Sequence, residues 1–318
     1  MVTRIAALVG PTASGKTALA VRLADRGLPV EVVCCDALQV VRGLDAATAK
    51  PSAAERASVR HHLLDLVGVD ERMTAGRWAA HATAAIADIT ERGRWPLVVG
   101  GTGLYLRALV EGLVAIPPVP SDLRRALNEE WSERGAAAMH AELSRVDARY
   151  AARTPATNRQ RVVRALEVWR ATGRSFSDWH DSAPAAVPCF DLAVAVLEPE
   201  RVALHGAIER RAAAMVAPLV AEVRQLLTAG VSAQAPGMQA IGYRDAVEVV
   251  LGTADEANLA GLVAAAHRRY AKRQITWFRR LTPRWRLDAH DPAAAALLAE
   301  GLQGHFGAKF ESTDGCGR

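Results

Sequence analysis

The sequence predicts an α/β fold in which a parallel sheet carries helices on both faces and the chain is interrupted by an all-α insertion. Three observations predict it. Short apolar runs alternate with amphipathic helical stretches through the first hundred residues. The first of these runs leads into a glycine-bounded loop that ends in Lys-Thr, and from about residue 118 to 185 the texture turns helical with no strand candidate.

The elements follow in order. Residues 5–9 read as a buried strand, followed by the loop and a helix over 16–26. PVEVVCCD reads as a second buried strand ending at Asp36, and HHLLDLV from His61 as a short third. Residues 77–92 place Trp78, Ala82, Ile86 and Ile89 at helical spacing before the strand WPLVVGG. DLAVAVLEP restores a strand after the insertion, and helices are predicted over 201–227, 243–251 and 254–278. The chain thus divides into a discontinuous core, 1–117 with 186–300, and a helical insertion, 118–185. The tail, 301–318, is expected to fray.

With 318 residues, half of them hydrophobic, the chain can bury a substantial core. Its apolar runs are too short to cross a bilayer, so a soluble, cytoplasmic protein without membrane partners is expected, working as a monomer. The four cysteines show no Cys-x-x-Cys spacing that would suggest zinc. The net charge of +5 permits a nucleic-acid partner without requiring one.

Gly10, Pro11, Thr12, Ala13, Ser14, Gly15, Lys16 and Thr17 fit G-x-x-x-x-G-K-[ST] in full, with a strand before and a helix after. This defines a P-loop NTPase-like core. Backbone N–H groups would hold phosphate oxygens, Lys16 would neutralise charge and Thr17 would ligate Mg²⁺. A nucleotide hydrolase usually adds a carboxylate at the end of another core strand, yet WPLVVGG runs into Gly100-Gly101-Thr102. The nearest suitable acid is Asp36, at the sheet edge where ligands bind in such folds; it is a candidate proton acceptor or a turn cap. Thr102, between glycines that let the backbone approach closely, can present a hydroxyl to the phosphates.

Two stretches are strongly basic. From Arg149 to Arg174 there are seven arginines and one acid, Glu167. From His267 to Arg286 there are eight cationic side chains and no carboxylate, interleaved with Tyr270, Trp277, Phe278 and Trp285. Such interleaving suits an RNA with exposed bases, or a solvated helix face backed by core aromatics.

The ordered set GPTASGKT, DALQVVRGLDAATAKP, HHLLD, VVGGTGLYLRALVEGL, QRVVRALE, ERRAAAM, QAIGYR and AKRQITWFRR resembles the bacterial tRNA dimethylallyltransferases, the IPP transferase family, over residues 4–300. The resemblance implies a P-loop core with a helical insertion. It also implies transfer of a dimethylallyl group from dimethylallyl diphosphate to N6 of the adenosine 3′ of the anticodon, in tRNAs reading codons that begin with U. It makes residues 10–17 the donor-diphosphate site with Thr17 on Mg²⁺, Asp36 the general base, and Thr102 and Arg211 the groups on the leaving diphosphate. It assigns contacts with the tRNA anticodon stem-loop to Asp36, Ala37, Leu38 and Gln39, with Gln39 on the adenine edge, and to Arg124 and Gln160, Arg161, Val162, Val163 and Arg164. Gln239, Ala240, Ile241, Gly242, Tyr243 and Arg244 belong to the same set, as do Lys272, Arg273, Gln274, Ile275, Thr276, Trp277, Phe278 and Arg279. The family's usual Asp-Ser-x-Gln-x-Tyr is here Asp36-Ala37-Leu38-Gln39-Val40-Val41, without the serine hydroxyl and the tyrosine ring. Competing readings are prenyl transfer to free adenine nucleotides, a P-loop kinase or ATPase, and a tRNA-binding protein with a vestigial site.

Overall fold

The computed structural model describes residues 2–182 and 189–307. Two compact units are present: Met1–Val110 with Pro188–Arg318, and Glu111–Val187.

The first unit is built on a six-stranded, all-parallel sheet. Its strands are β1 (Thr3–Val9), β2 (Val30–Cys35), β3 (His61–His62), β4 (Trp95–Gly100), β5 (Phe190–Leu197) and β6 (Trp285–Leu287), ordered β3-β2-β4-β1-β5-β6. The side-chain period of two divides the sheet's residues between two cores. Ile5, Ala7, Val9, Val33 and Val98 join α3 (Ala75–Glu91), α4 (Gly103–Val110), α9 (Arg201–Thr228), α10 (Tyr243–Val250) and α11 (Leu259–Phe278) on one face. Ala6, Leu8, Val32, Leu97 and Val99 join α1 (Lys16–Asp25) and α12 (Ala294–Gly307) on the other. A one-turn-and-a-half helix, α2 (Ala53–Ser58), opens on a capping box between Ser52 and Glu55.

The alternation of elements stands as predicted, with differences of detail. HHLLDLV contributes only two residues of strand, because Leu63 and Asp65 take left-handed backbone conformations that end pairing. The sequence does not announce helices α2 and α4, strand β6 or helix α12. The tail expected to fray from 301 is instead helical through Gly307: Leu298 and Leu302 are buried, and Arg4 donates to the Phe306 carbonyl at 3.2 Å. Residues 308–318 lie outside the described residues.

Among the described residues the elements of the second unit are helices: α5 (Ser121–Val146), α6 (Ala148–Ala152), α7 (Arg159–Thr172) and α8 (Phe176–His180). Gly135, at φ 77°, breaks α5 in mid-course. Leu127, Met139, Leu143, Val162 and Leu166 form its core. Among the described residues no helix is long and apolar enough to cross a membrane.

Candidate active site

The strand order sets the carboxyl ends of β1, β4 and β2 side by side, the edge where open α/β sheets bind ligands. Each end carries one part of the site. β1 feeds the phosphate loop, whose Gly15 stands at φ 82°, a conformation glycine adopts without steric cost. Ala13, at φ 61°, holds strain of the kind that concentrates at ligand clamps. No side chain caps α1, which leaves its first N–H groups for an anion.

The Lys16 ammonium curls onto the loop itself, donating to the carbonyls of Gly10 at 3.0 Å and Pro11 at 2.6 Å. Burial lowers its pKa from 10.5 to about 8; Asp36 opposes that shift and Arg211 adds to it. Arg211, from α9, reaches the loop at Thr12 Oγ1 with a nitrogen 3.4 Å away, while its Nε is buried without a partner among the described residues. Burial pulls its pKa down, with Asp36 again opposing. Two desolvated cations and an orphaned donor in one cradle are what a bound polyanion would relieve.

Asp36 follows β2 directly. Its Oδ1 accepts from the N–H groups of Leu38 at 2.9 Å and Gln39 at 3.4 Å, so one oxygen does cap the turn. Both bonds fall on the same oxygen, which leaves Oδ2 outside the cap. β4 lies between β1 and β2, so the Gly-Gly-Thr turn comes between the loop and Asp36. There the Thr102 N–H donates to the Cys35 carbonyl at 3.1 Å, and Thr102 Oγ1 accepts from Ala37 N–H at 3.0 Å. The serine hydroxyl missing at position 37 therefore leaves this backbone bond intact.

A cavity of about 320 Å³ joins these groups, with Ser14, Lys16, Thr17, Asp36, Gln39 and Arg211 on its walls. That volume suits a small molecule. Among the described residues no cluster of three or more His, Cys, Asp or Glu could hold a metal. Thr17 lies on the cavity wall, where a hydroxyl fits a Mg²⁺ ion held otherwise by phosphate oxygens.

Helix α11 lines the same site, which its composition did not reveal. Its buried positions, His267, Ala271, Gln274 and Phe278, recur at helical spacing. The His267 pKa is lowered to about 4 by burial and by the neighbouring Arg211, which keeps the imidazole neutral. The Tyr270 hydroxyl is pushed well above the usual range by burial and by the Asp36 charge. In the sequence these residues lie within a basic, aromatic run, and their helical period is the signal that separates an inner face from an outer one.

The residues assigned to RNA divide sharply. Val162 and Val163 are core of the helical unit, Phe278 is core of the sheet unit, and Gly242 and Tyr243 are buried. The Tyr243 hydroxyl donates to Glu222 Oε1 at 2.6 Å. These side chains present nothing to a macromolecule. The Gln39 amide is spent inside the chain, donating to the Thr48 and Ala49 carbonyls at 3.1 and 2.9 Å and accepting from Cys34 Sγ at 3.1 Å. Gln160, Arg161, Gln239, Arg244, Lys272, Arg273, Thr276 and Arg279 are exposed. Ala37, Leu38, Ala240, Ile241, Ile275 and Trp277 are half-buried.

Much of the arginine run in the helical unit is neutralised there. Arg124 and Arg164 both bind the buried Glu167, Arg124 through two bonds at 2.5 and 2.9 Å and Arg164 through one at 3.1 Å. Arg170 pairs with Glu130 and Glu142, each at 2.6 Å. Arg149 pairs with Asp178 at 2.7 Å and Asp181 at 2.8 Å.

Comparison with known proteins bears directly on this arrangement. The IPP transferase family model matches residues 39–281. A tRNA dimethylallyltransferase of Anaeromyxobacter dehalogenans (strain 2CP-C) is 46% identical, over 93% of this chain and 99% of its own length. One from Methylibium petroleiphilum is 49% identical, over 92% and 91% respectively. The crystal structure of a tRNA isopentenylpyrophosphate transferase from Bacillus halodurans superposes with a TM-score of 0.68 at 34% identity, covering 96% of this chain and 97% of that one. A eukaryotic dimethylallyltransferase acting on tRNA shares the fold, with a TM-score of 0.77 at 23% identity over 98% of this chain and 81% of its own. With a phosphate loop, a strand-end aspartate and relatives that match along nearly their whole length, the chain belongs to the IPP transferase family.

Proposed function

We propose that this protein transfers a dimethylallyl group from dimethylallyl diphosphate to N6 of the adenosine 3′ of the anticodon in tRNA. The observation that carries the reading is the convergence of Lys16, Arg211 and the uncapped N-terminus of α1 on a cavity that also holds Asp36. The bond between the allylic carbon and the bridging oxygen breaks, and a bond from N6 to that carbon forms. The electron pair leaves with the diphosphate and the N6 proton passes to Asp36, whose Oδ2 lies outside the turn cap. An allylic carbon tolerates positive charge, so the protein's task is to stabilise the departing anion and hold a weak amine in place.

Loop N–H groups, Lys16 and Arg211 take the diphosphate, with Thr102 at the neighbouring turn. When bound, Mg²⁺ supplies further charge neutralisation on the leaving group, and Thr17 is the residue that would hold it. The target base must leave its stack to be reached, at a cost of a few kcal/mol that is least for an unpaired nucleotide. Exposed cations at Arg161 in the helical unit, and at Lys272, Arg273 and Arg279 on α11, are suited to RNA phosphates.

The test offers labelled dimethylallyl diphosphate to an unmodified anticodon stem-loop and to AMP side by side, with nucleoside mass spectrometry of the product. Transfer to the stem-loop, and its loss in Asp36→Ala with RNA affinity retained, is expected. Transfer to AMP alone refutes the tRNA reading, and full turnover in Asp36→Ala refutes the base.

A further inference from the structure

Gln274 lies in a segment that the resemblance assigns to tRNA, yet it is 4% exposed and turned away from solvent. Its carboxamide is bound at both ends. Oε1 accepts from the Thr12 N–H at 2.8 Å, and Nε2 donates to the Gly101 carbonyl at 3.0 Å. One side chain therefore ties the phosphate loop to the turn that carries Thr102, from a helix packed beneath both.

The approach is built into the sequence on the other side as well. A Cβ at position 101 would collide with Gln274 Nε2, so glycine is required there to admit the amide. A Cβ at Gly103 would likewise collide with the Trp277 indole, three residues further along α11. α11 thus sits close against both glycines of the Gly101-Thr102-Gly103 turn.

We infer that Gln274 is a positioning residue for the diphosphate end of the reaction, and that its role is not RNA contact. Binding the Thr12 N–H removes that amide from the set that can face an anion and fixes the backbone from which Thr12 Oγ1 meets Arg211. Arg211 comes from α9, Thr102 from the turn after β4, and the remaining donors from the loop after β1; Gln274 joins the loop to the turn. The chemistry demands one donor and one acceptor on a planar group of this reach. Asparagine is a methylene short, and glutamate would set an anion against the Gly101 carbonyl and beside an anion site. The inference rests on the reading of the cavity as a diphosphate site.

The experiment uses the full chain and its Gln274→Glu and Gln274→Met variants. Steady-state kinetics are measured for dimethylallyl diphosphate and for the stem-loop, together with calorimetric binding of inorganic diphosphate with Mg²⁺ and thermal unfolding. Gln274→Glu is expected to raise both the donor KM and the diphosphate Kd about tenfold or more, with the stem-loop KM within about twofold of the parent. Gln274→Met, which keeps volume but loses both bonds, is expected to show the same split at smaller size. It carries the test should the glutamate variant fail to fold. A rise confined to the stem-loop KM, unchanged constants, or a loss of activity that follows the melting temperature with no KM split each overturn the inference. If the parent protein itself binds no diphosphate and transfers no prenyl group, the reading of the cavity fails first and the inference falls with it.

Discussion

Raising the pH across the alkaline range should weaken donor binding through one identifiable group. Lys16 has its pKa lowered to about 8 because its ammonium is withdrawn from water, with Arg211 adding to the effect and Asp36 only partly offsetting it. A bound diphosphate supplies the missing counter-charge and moves that pKa back up. The proton is then held more tightly in the complex than in the free protein, so binding takes up protons. Affinity is level below pH 8 and falls about tenfold per pH unit above it until the pKa of the complex is reached. Uptake should be about 0.1 proton at pH 7, about 0.5 at pH 8 and about 0.9 at pH 9. The terminal phosphate, with a second pKa of about 6, is almost fully ionised from pH 8 upward and contributes little there. Calorimetry of dimethylallyl diphosphate in buffers of different ionisation enthalpy reads the proton number directly. In Lys16→Arg, whose guanidinium stays charged, the uptake should vanish. Uptake below about 0.2 proton at pH 9 in the parent, or unchanged uptake in the arginine variant, would refute the reasoning.

Other consequences can be checked separately. Arg161→Ala should weaken stem-loop binding and reduce the slope of log K against log salt by about 0.7 to 0.9, as for one lost phosphate contact; an unchanged slope in filter binding removes Arg161 from the interface. Arg164→Ala differs, because Arg164 helps Arg124 neutralise the buried Glu167; its larger effect should be a lower melting temperature, and a change in salt slope alone would contradict that role. Gly100→Ala should cost about 3 kcal/mol or more, or prevent folding, because a Cβ there would lie against the backbone of Cys35 on the adjacent strand. A loss below about 1 kcal/mol in urea unfolding would show that the two strands can separate at that point.

The correct and incorrect expectations separate along a physical line. β1, the phosphate loop and α1 were legible because a continuous apolar run, a glycine-bounded turn and an amphipathic decamer are properties of consecutive residues. α12 opens on three alanines, which favour a helix, but its glycines at 301, 304 and 307 weaken a helical reading. Its order comes from packing: Leu298 and Leu302 are buried, Phe306 stacks on Trp95 at 4.8 Å, and His305 Nε2 meets the Ile5 carbonyl at 3.1 Å. β6 is three residues long and exists because the edge of β5 offers it a ladder.

Taken alone, the sequence determined the phosphate loop, the alternation of strand and helix, the aspartate at the end of β2 and the family. All four are written in short contiguous motifs whose chemistry is local. Only the tertiary structure decided which charges were spent and which were left. In α7, Arg170 is held by Glu130 and Glu142 brought in from α5, whereas Arg161 stays exposed. The structure also decided which face of α11 the site uses, since Gln274 and Thr12 are 262 residues apart and no local pattern connects them. A hydrogen bond depends on where two groups meet in space, and in this protein the packing of α11 under the β1 and β4 loops brings them together.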